Sequence, residues 1–100
     1  MTIRPTRLTL AAIAGLTLLA ADMADWFPEG SGPASGVETD ALPAIWENKA
    51  DFDSKVDDFQ AAAATLASTA AAGDIAAITS AFQATGATCK ACHQTYRADD

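Results

Sequence analysis

Apolar positions divide this chain into stretches with different rhythms. After the basic start MTIRPTR, residues 8–21 are uncharged and mostly apolar. Further on, Ile45, Phe52, Phe59 and Leu66 recur every seven residues, with Val56, Ala63 and Ala70 between them. That is the a/d spacing of an amphipathic helix. Glu47, Asp51, Asp53, Asp57 and Asp58 mostly fall off the seam. Asp51 and Asp53 also mark a candidate break, because residues 48–53 are poor in helix formers. A second seam follows: Ile75, Ile78, Phe82, Thr85, Cys89, Cys92 and Tyr96. Steps of three and four throughout predict a last helix with both cysteines on its buried face. Trp46, Phe52, Phe59 and Phe82 are expected in the core.

The joins between these stretches are equally readable. Residues 27–43 hold three of the four prolines and three of the six glycines, the composition of a loop. Thr39 and Asp40 are expected to cap the following helix, with Pro43 in its first turn, where a missing N–H costs nothing. Gly73 suits a left-handed helix end, and Asp74 an N-cap for the last helix.

Composition narrows the class. The 100 residues allow one small domain. Alanine occupies 25 positions and valine two, which favours an all-helical protein over a sheet. The net charge of −7 makes nucleic acid an unsuitable partner. Residues 22–88 carry eleven acids against Lys49 and Lys55. Residues 1–21 carry Arg4 and Arg7 and no acid, so that segment differs in kind. Its apolar run is short of the ~20 residues of a membrane span and fits the central region of a secretory signal peptide. Cleavage after Ala20 or Ala21 puts Leu18 or Leu19 where a small residue is preferred. The other reading is a retained helix packed in the domain. Residues 1–21 are therefore expected to be a signal peptide or a retained helix, and residues 22–100 the functional helical domain.

The chemistry concentrates in Cys89-Lys90-Ala91-Cys92-His93, a C-x-x-C-H motif for covalent attachment of c-type haem. Each thiol adds to one vinyl group of the porphyrin. Positions three apart on a helix project side by side, and His93, four after Cys89, shares that face and reaches the iron. A zinc site needs four ligands, and two cysteines with one histidine fall short. A thioredoxin-like reading lacks the required strand context.

The segments WFPEGSG, ALPAIW, Gly73-Asp74 and GATCKACHQTYR together resemble the C-terminal part of the cytochrome c′ family, over about residues 22–97. The resemblance implies an antiparallel four-helix bundle with the motif near the end of its last helix. It implies thioether attachment at Cys89 and Cys92, axial ligation by His93, and Arg97 beside the proximal haem face. The plainer reading of Arg97 is a cation at a helix C-terminus. Family members have four helices, whereas this chain has room for three or fewer, and the first helix, which supplies the distal residue, is expected to be missing. Only Met1 and Met23 are methionines, and Met23 falls where the family's second helix ends. The economical expectation is one five-coordinate haem c held by His93 alone.

Phe82 is a second candidate to line the haem pocket, and Gly86 a point of close approach. Tyr96 is expected to pack, and Lys90 to be solvated. The expected function is periplasmic electron transfer with redox partner proteins. The alternatives are binding of a small gas ligand, NO or CO, and a truncated, non-functional family fragment. No acid, base and nucleophile constellation points to an enzyme. A bundle short of one helix would leave Ile45, Phe52 and Phe59 partly uncovered, so a homodimer is expected.

Overall fold

A computed structural model describes residues 6–99. Four α-helices are present among them: α1 (Arg7–Leu19), α2 (Ala44–Glu47), α3 (Lys49–Ala72) and α4 (Ile75–Tyr96). Short 3₁₀ turns lie at Met23–Trp26 and Pro33–Ser35. Three long helices and one single turn agree with the all-α bundle and the three-helix expectation.

The local signals at the helix ends act as the residue types dictate. Gly73 takes φ 83° and its N–H bonds the Ala70 carbonyl, closing α3 in the left-handed form that glycine adopts at low cost. Asp74 accepts from the Ala76 N–H at 3.2 Å and starts α4. The break before α3 falls at Asn48 (φ −124°, ψ 50°), not at Asp51 or Asp53, which are helical.

Helix α3 is the spine. Thr17 on α1 donates to the Ala63 carbonyl at 3.3 Å, and Thr85 on α4 donates to the Ala62 carbonyl at 3.3 Å. Two hydroxyls from opposite neighbours thus bond adjacent carbonyls of α3. Gln60 donates from its amide to the Ala20 and Ala21 carbonyls just past α1, at 2.8 and 3.1 Å. These meeting points make α1 and α4 both antiparallel to α3. The core joins Ile45, Phe52, Val56 and Tyr96, with Met23, Ala24 and Phe27 packed over it.

Three expectations need correction. Ile45 and Phe52 are each 2% exposed, so the stripe expected to lie partly open is covered by the chain around Met23–Phe27 and by Tyr96; only Phe59 is half-buried. Phe82 is 67% exposed and not in the core. Helix α3 lies on the Thr85 and Tyr96 side of α4, which rotates Phe82 and Ile75 away from it by about 60–80°. Asp40 does not cap α2, which has no side-chain cap. Residues 40–42 run extended instead. The Leu42 N–H bonds the Tyr96 carbonyl at 3.0 Å, and the Ala98 N–H bonds the Asp40 carbonyl at 2.7 Å.

The loop before α2 is fastened by Trp46, whose indole N–H donates to the Phe27 and Pro28 carbonyls at 3.0 and 3.1 Å. The ring lies flat over Gly32, where a β-carbon would come within 2.6 Å of it. Gly32→Ala is therefore expected to cost about 1–3 kcal/mol, because the ring cannot yield without losing its bonds. Thermal melting checks this; an unchanged melting temperature would mean that the ring moves freely.

Candidate haem site

Cys89, Cys92 and His93 all lie on α4. The helix puts Cys92 about 60° and His93 about 40° around the axis from Cys89. Both cysteines are half-buried and unbridged, and His93 is exposed. The two thiols therefore sit at the border between the face covered by α3 and the open stripe Ile75, Phe82, Gly86, Cys89, His93. The expectation of a fully buried cysteine face was too strong, for the same rotation that exposes Phe82. Around Gly86 an added β-carbon meets nothing within 4 Å, so the stripe is flat and open there.

Beside this stripe lies a cavity of about 340 Å³. Cys92, His93, Tyr96 and Arg97 form one wall. Met23, Trp26 and Phe27 form another, with Ile45, Phe52 and Val56 as the floor. Met23 thus shares the cavity with His93 while packing on the core. Met1 lies outside the described residues. Among the described residues no three His, Cys, Asp or Glu side chains gather closely enough to hold a metal ion by themselves.

This donor set fits haem. A porphyrin needs two nearby thiols for its edge, one imidazole for its iron and an apolar surface for its ring. The described residues offer two nearby thiols and one imidazole on α4, and the apolar lining of the cavity.

Burial pushes the Cys92 thiol up from its ordinary value, reinforced by Cys89 and Asp51 and opposed by Lys55. It is therefore an S–H group at neutral pH. Lys90 is exposed, as expected. Arg97 lines the cavity and lies 3.9 Å from the Asp40 carboxylate.

Tyr96 does more than pack. Its hydroxyl donates to the Asp51 carboxylate, and its ring stands edge-on to Phe52 with centroids 5.2 Å apart. The bond to Asp51, burial and the carboxylate's charge push the phenol up to about 12. The seam pattern marks Asp51 as an off-seam polar residue and a candidate helix break, not as a partner of Tyr96. The available signal was that a buried phenol needs a partner, but the sequence does not say which residue forty-five positions away supplies it.

A cytochrome C′ family model matches residues 6–97, and so reaches across α1 as well. Cytochrome c-554 of Cereibacter sphaeroides is 40% identical over 90 residues, covering 89% of this chain and 67% of the relative. Cytochrome c′ of Rhodospirillum rubrum is 47% identical over 73 residues, covering 73% of this chain and 48% of the relative. The chain thus spans about half to two thirds of these relatives' lengths. A nitric oxide complex of a mutant cytochrome c prime from Alcaligenes xylosoxidans superposes with a TM-score of 0.82 at 34% identity, over 95% of this chain and 73% of that one.

The raised Tyr96 value has a sign that can be measured. The folded phenol titrates above its ordinary 10.0, so its contribution is complete below pH 10 and is lost as pH rises toward about 12. Wild-type melting temperature is expected to fall across that window more steeply than that of Tyr96→Phe. Parallel pH curves for the two proteins would contradict the assignment.

Proposed function

The chain belongs to the cytochrome c′ family, and from that premise we propose that it carries one covalent haem c and serves in periplasmic electron transfer. The observation that carries this reading is the placement of Cys89, Cys92 and His93 on one open edge of α4, beside an apolar cavity. When bound, haem supplies a reversible ferric–ferrous couple, whose potential depends on ligation, burial and nearby charge.

Each residue has a separable task in the proposal. Cys89 and Cys92 hold the porphyrin edge through thioethers. His93 presents its imidazole to the iron from the solvent-open side of α4. Met23, Phe27, Ile45, Phe52 and Val56 exclude water from the cavity. Arg97, on the cavity wall, would place a positive charge beside the bound haem, partly offset by Asp40. No residue is assigned as a general acid, base or nucleophile.

Residues 7–19 are included in the folded domain. The support is the Thr17 bond to α3 and the Gln60 amide on the carbonyls after α1, together with the near-complete burial of Ala20. The basic start and uncharged run also serve as an export signal if that segment directs secretion and is then retained. Among the described residues no helix is long and apolar enough to cross a membrane. Pairing of two copies belongs to the proposal as well. Its support is now the exposed Leu8, Leu18 and Leu19 of α1, since the stripe first expected to drive it is covered.

Binding of NO or CO is the second reading. It is favoured by the open surface around Gly86 and by the nitric oxide complex of the Alcaligenes relative. Optical spectra of the ferrous protein separate the two. High-spin, five-coordinate bands are expected from His93 as the protein ligand; a shift of those bands on adding CO supports gas binding, and bands that stay unmoved support electron transfer alone.

Covalent attachment has its own test. The wild-type protein, matured in an oxidising compartment with the attachment machinery, is expected to keep its haem through extraction with acidified organic solvent. The Cys89→Ala/Cys92→Ala variant is expected to release it. Release from the wild type would refute the assignment.

A further inference from the structure

The turn that follows His93 is tied to both α3 and the segment at residues 40–42. Four ties converge on it within three residues. The Tyr96 hydroxyl donates to Asp51 on α3. The Tyr96 carbonyl accepts from the Leu42 N–H at 3.0 Å, and the Ala98 N–H donates to the Asp40 carbonyl at 2.7 Å. The Arg97 guanidinium lies 3.9 Å from the Asp40 carboxylate. The Tyr96 ring is 3% exposed and edge-on to Phe52, which is itself edge-on to Phe27 at 5.0 Å. So the hydroxyl and ring of Tyr96 are held by neighbouring residues of α3, and its backbone by residues 40–42.

The His93 ring stands in contrast. No protein group among the described residues hydrogen-bonds it, whereas a ligating imidazole is commonly oriented by a partner on its second nitrogen. Its direction therefore depends on where the helix turn holds its α-carbon. That turn is closed by the Arg97 N–H bonding the His93 carbonyl at 3.1 Å. Tyr96 lies three residues past His93 and four past Cys92, on the α3 side. A shift of Tyr96 moves the whole turn as a unit.

Resting on the haem reading above, we propose that Asp51 is a positioning residue for His93, acting through the Tyr96 hydroxyl. The carboxylate fixes the depth of Tyr96 against α3. The loop at residues 40–42 fixes the lateral position of the following backbone. Together they set the angle at which α4 presents the imidazole toward the iron. The charge of Asp51 is not needed for this, only an acceptor in its place.

Three variants isolate that bond. Tyr96→Phe removes the donor and keeps the ring. Asp51→Leu removes the acceptor from the more exposed side, and serves if Tyr96→Phe folds poorly. Asp51→Asn keeps an acceptor oxygen and removes the charge. In amide hydrogen exchange of the full chain, Tyr96→Phe and Asp51→Leu are expected to speed the Leu42, Arg97 and Ala98 amides by about tenfold or more, with Asp51→Asn near wild type. In the ferrous haem-loaded protein, the iron–histidine stretching band is expected to shift and broaden in the first two variants and to return in Asp51→Asn. Faster exchange with an unmoved band would reduce the bond to a structural brace and overturn the proposal. Unchanged exchange in both deletion variants overturns it as well. A wild-type chain without a covalent haem spectrum overturns the reading beneath it, and is recognised before any variant is compared.

Discussion

The rest of the structure depends on how α4 lies against α3. Only one side of α4 is covered, the side of Thr85, Cys92 and Tyr96. Thr85 is held there by donating to the Ala62 carbonyl while it also bonds its own helix at Ala81. A hydroxyl buried to 5% exposure cannot be left unpaired without a cost of about 1–3 kcal/mol. Burial of Thr85 and Tyr96 against α3 goes with one rotation of α4. It directs Phe82, Gly86 and His93 outward and leaves the cysteines at the margin. A helix rotated to bury Phe82 would lose the Thr85 bond to α3 and the burial of Tyr96, and would turn the motif toward α3.

The same constraint explains the unusual division of labour at the site. The core is small, and its largest buried side chains cluster at the end of the bundle where α2, α3 and the last turn of α4 meet. The residues that fix the motif's position are thus the core residues themselves. Phe52 makes T-shaped contacts with both Tyr96 and Phe27, and the loop through Trp46 and Gly32 supports Phe27 through its carbonyl. Stability and site geometry are not separable here. Weakening the cluster disturbs the imidazole's setting.

Much of this was legible in the sequence where the controlling chemistry is local. Gly73 and Asp74 mark a helix end and a helix start because capping involves residues only a few positions apart. The C-x-x-C-H pattern is equally local, since a helix alone brings its members to one edge. The heptad seam was also correct for Ile45 on α2 and for Phe52, Val56, Ala63, Leu66 and Ala70 on α3, all of which are buried. The errors lie where distant chain decides. A three-and-four seam is too broad to resolve a rotation of about 60°, so Phe82 and Thr85 looked equivalent. Thr39 and Asp40 have the right types to cap a helix, yet residues 96–98 compete for that stretch and win. Asp51 looked like one of several surface acids until Tyr96 reached it across the helix pair.

The central claim is that Cys89, Cys92 and His93 form one haem-attachment edge on α4. It is tested most directly by protease digestion of the matured protein, followed by tandem mass spectrometry under denaturing conditions. The account predicts a single haem mass localised to the peptide that contains Cys89 and Cys92, with both sulfurs modified. Recovery of that peptide with both thiols free, from cells that supply haem and the attachment machinery, would contradict it.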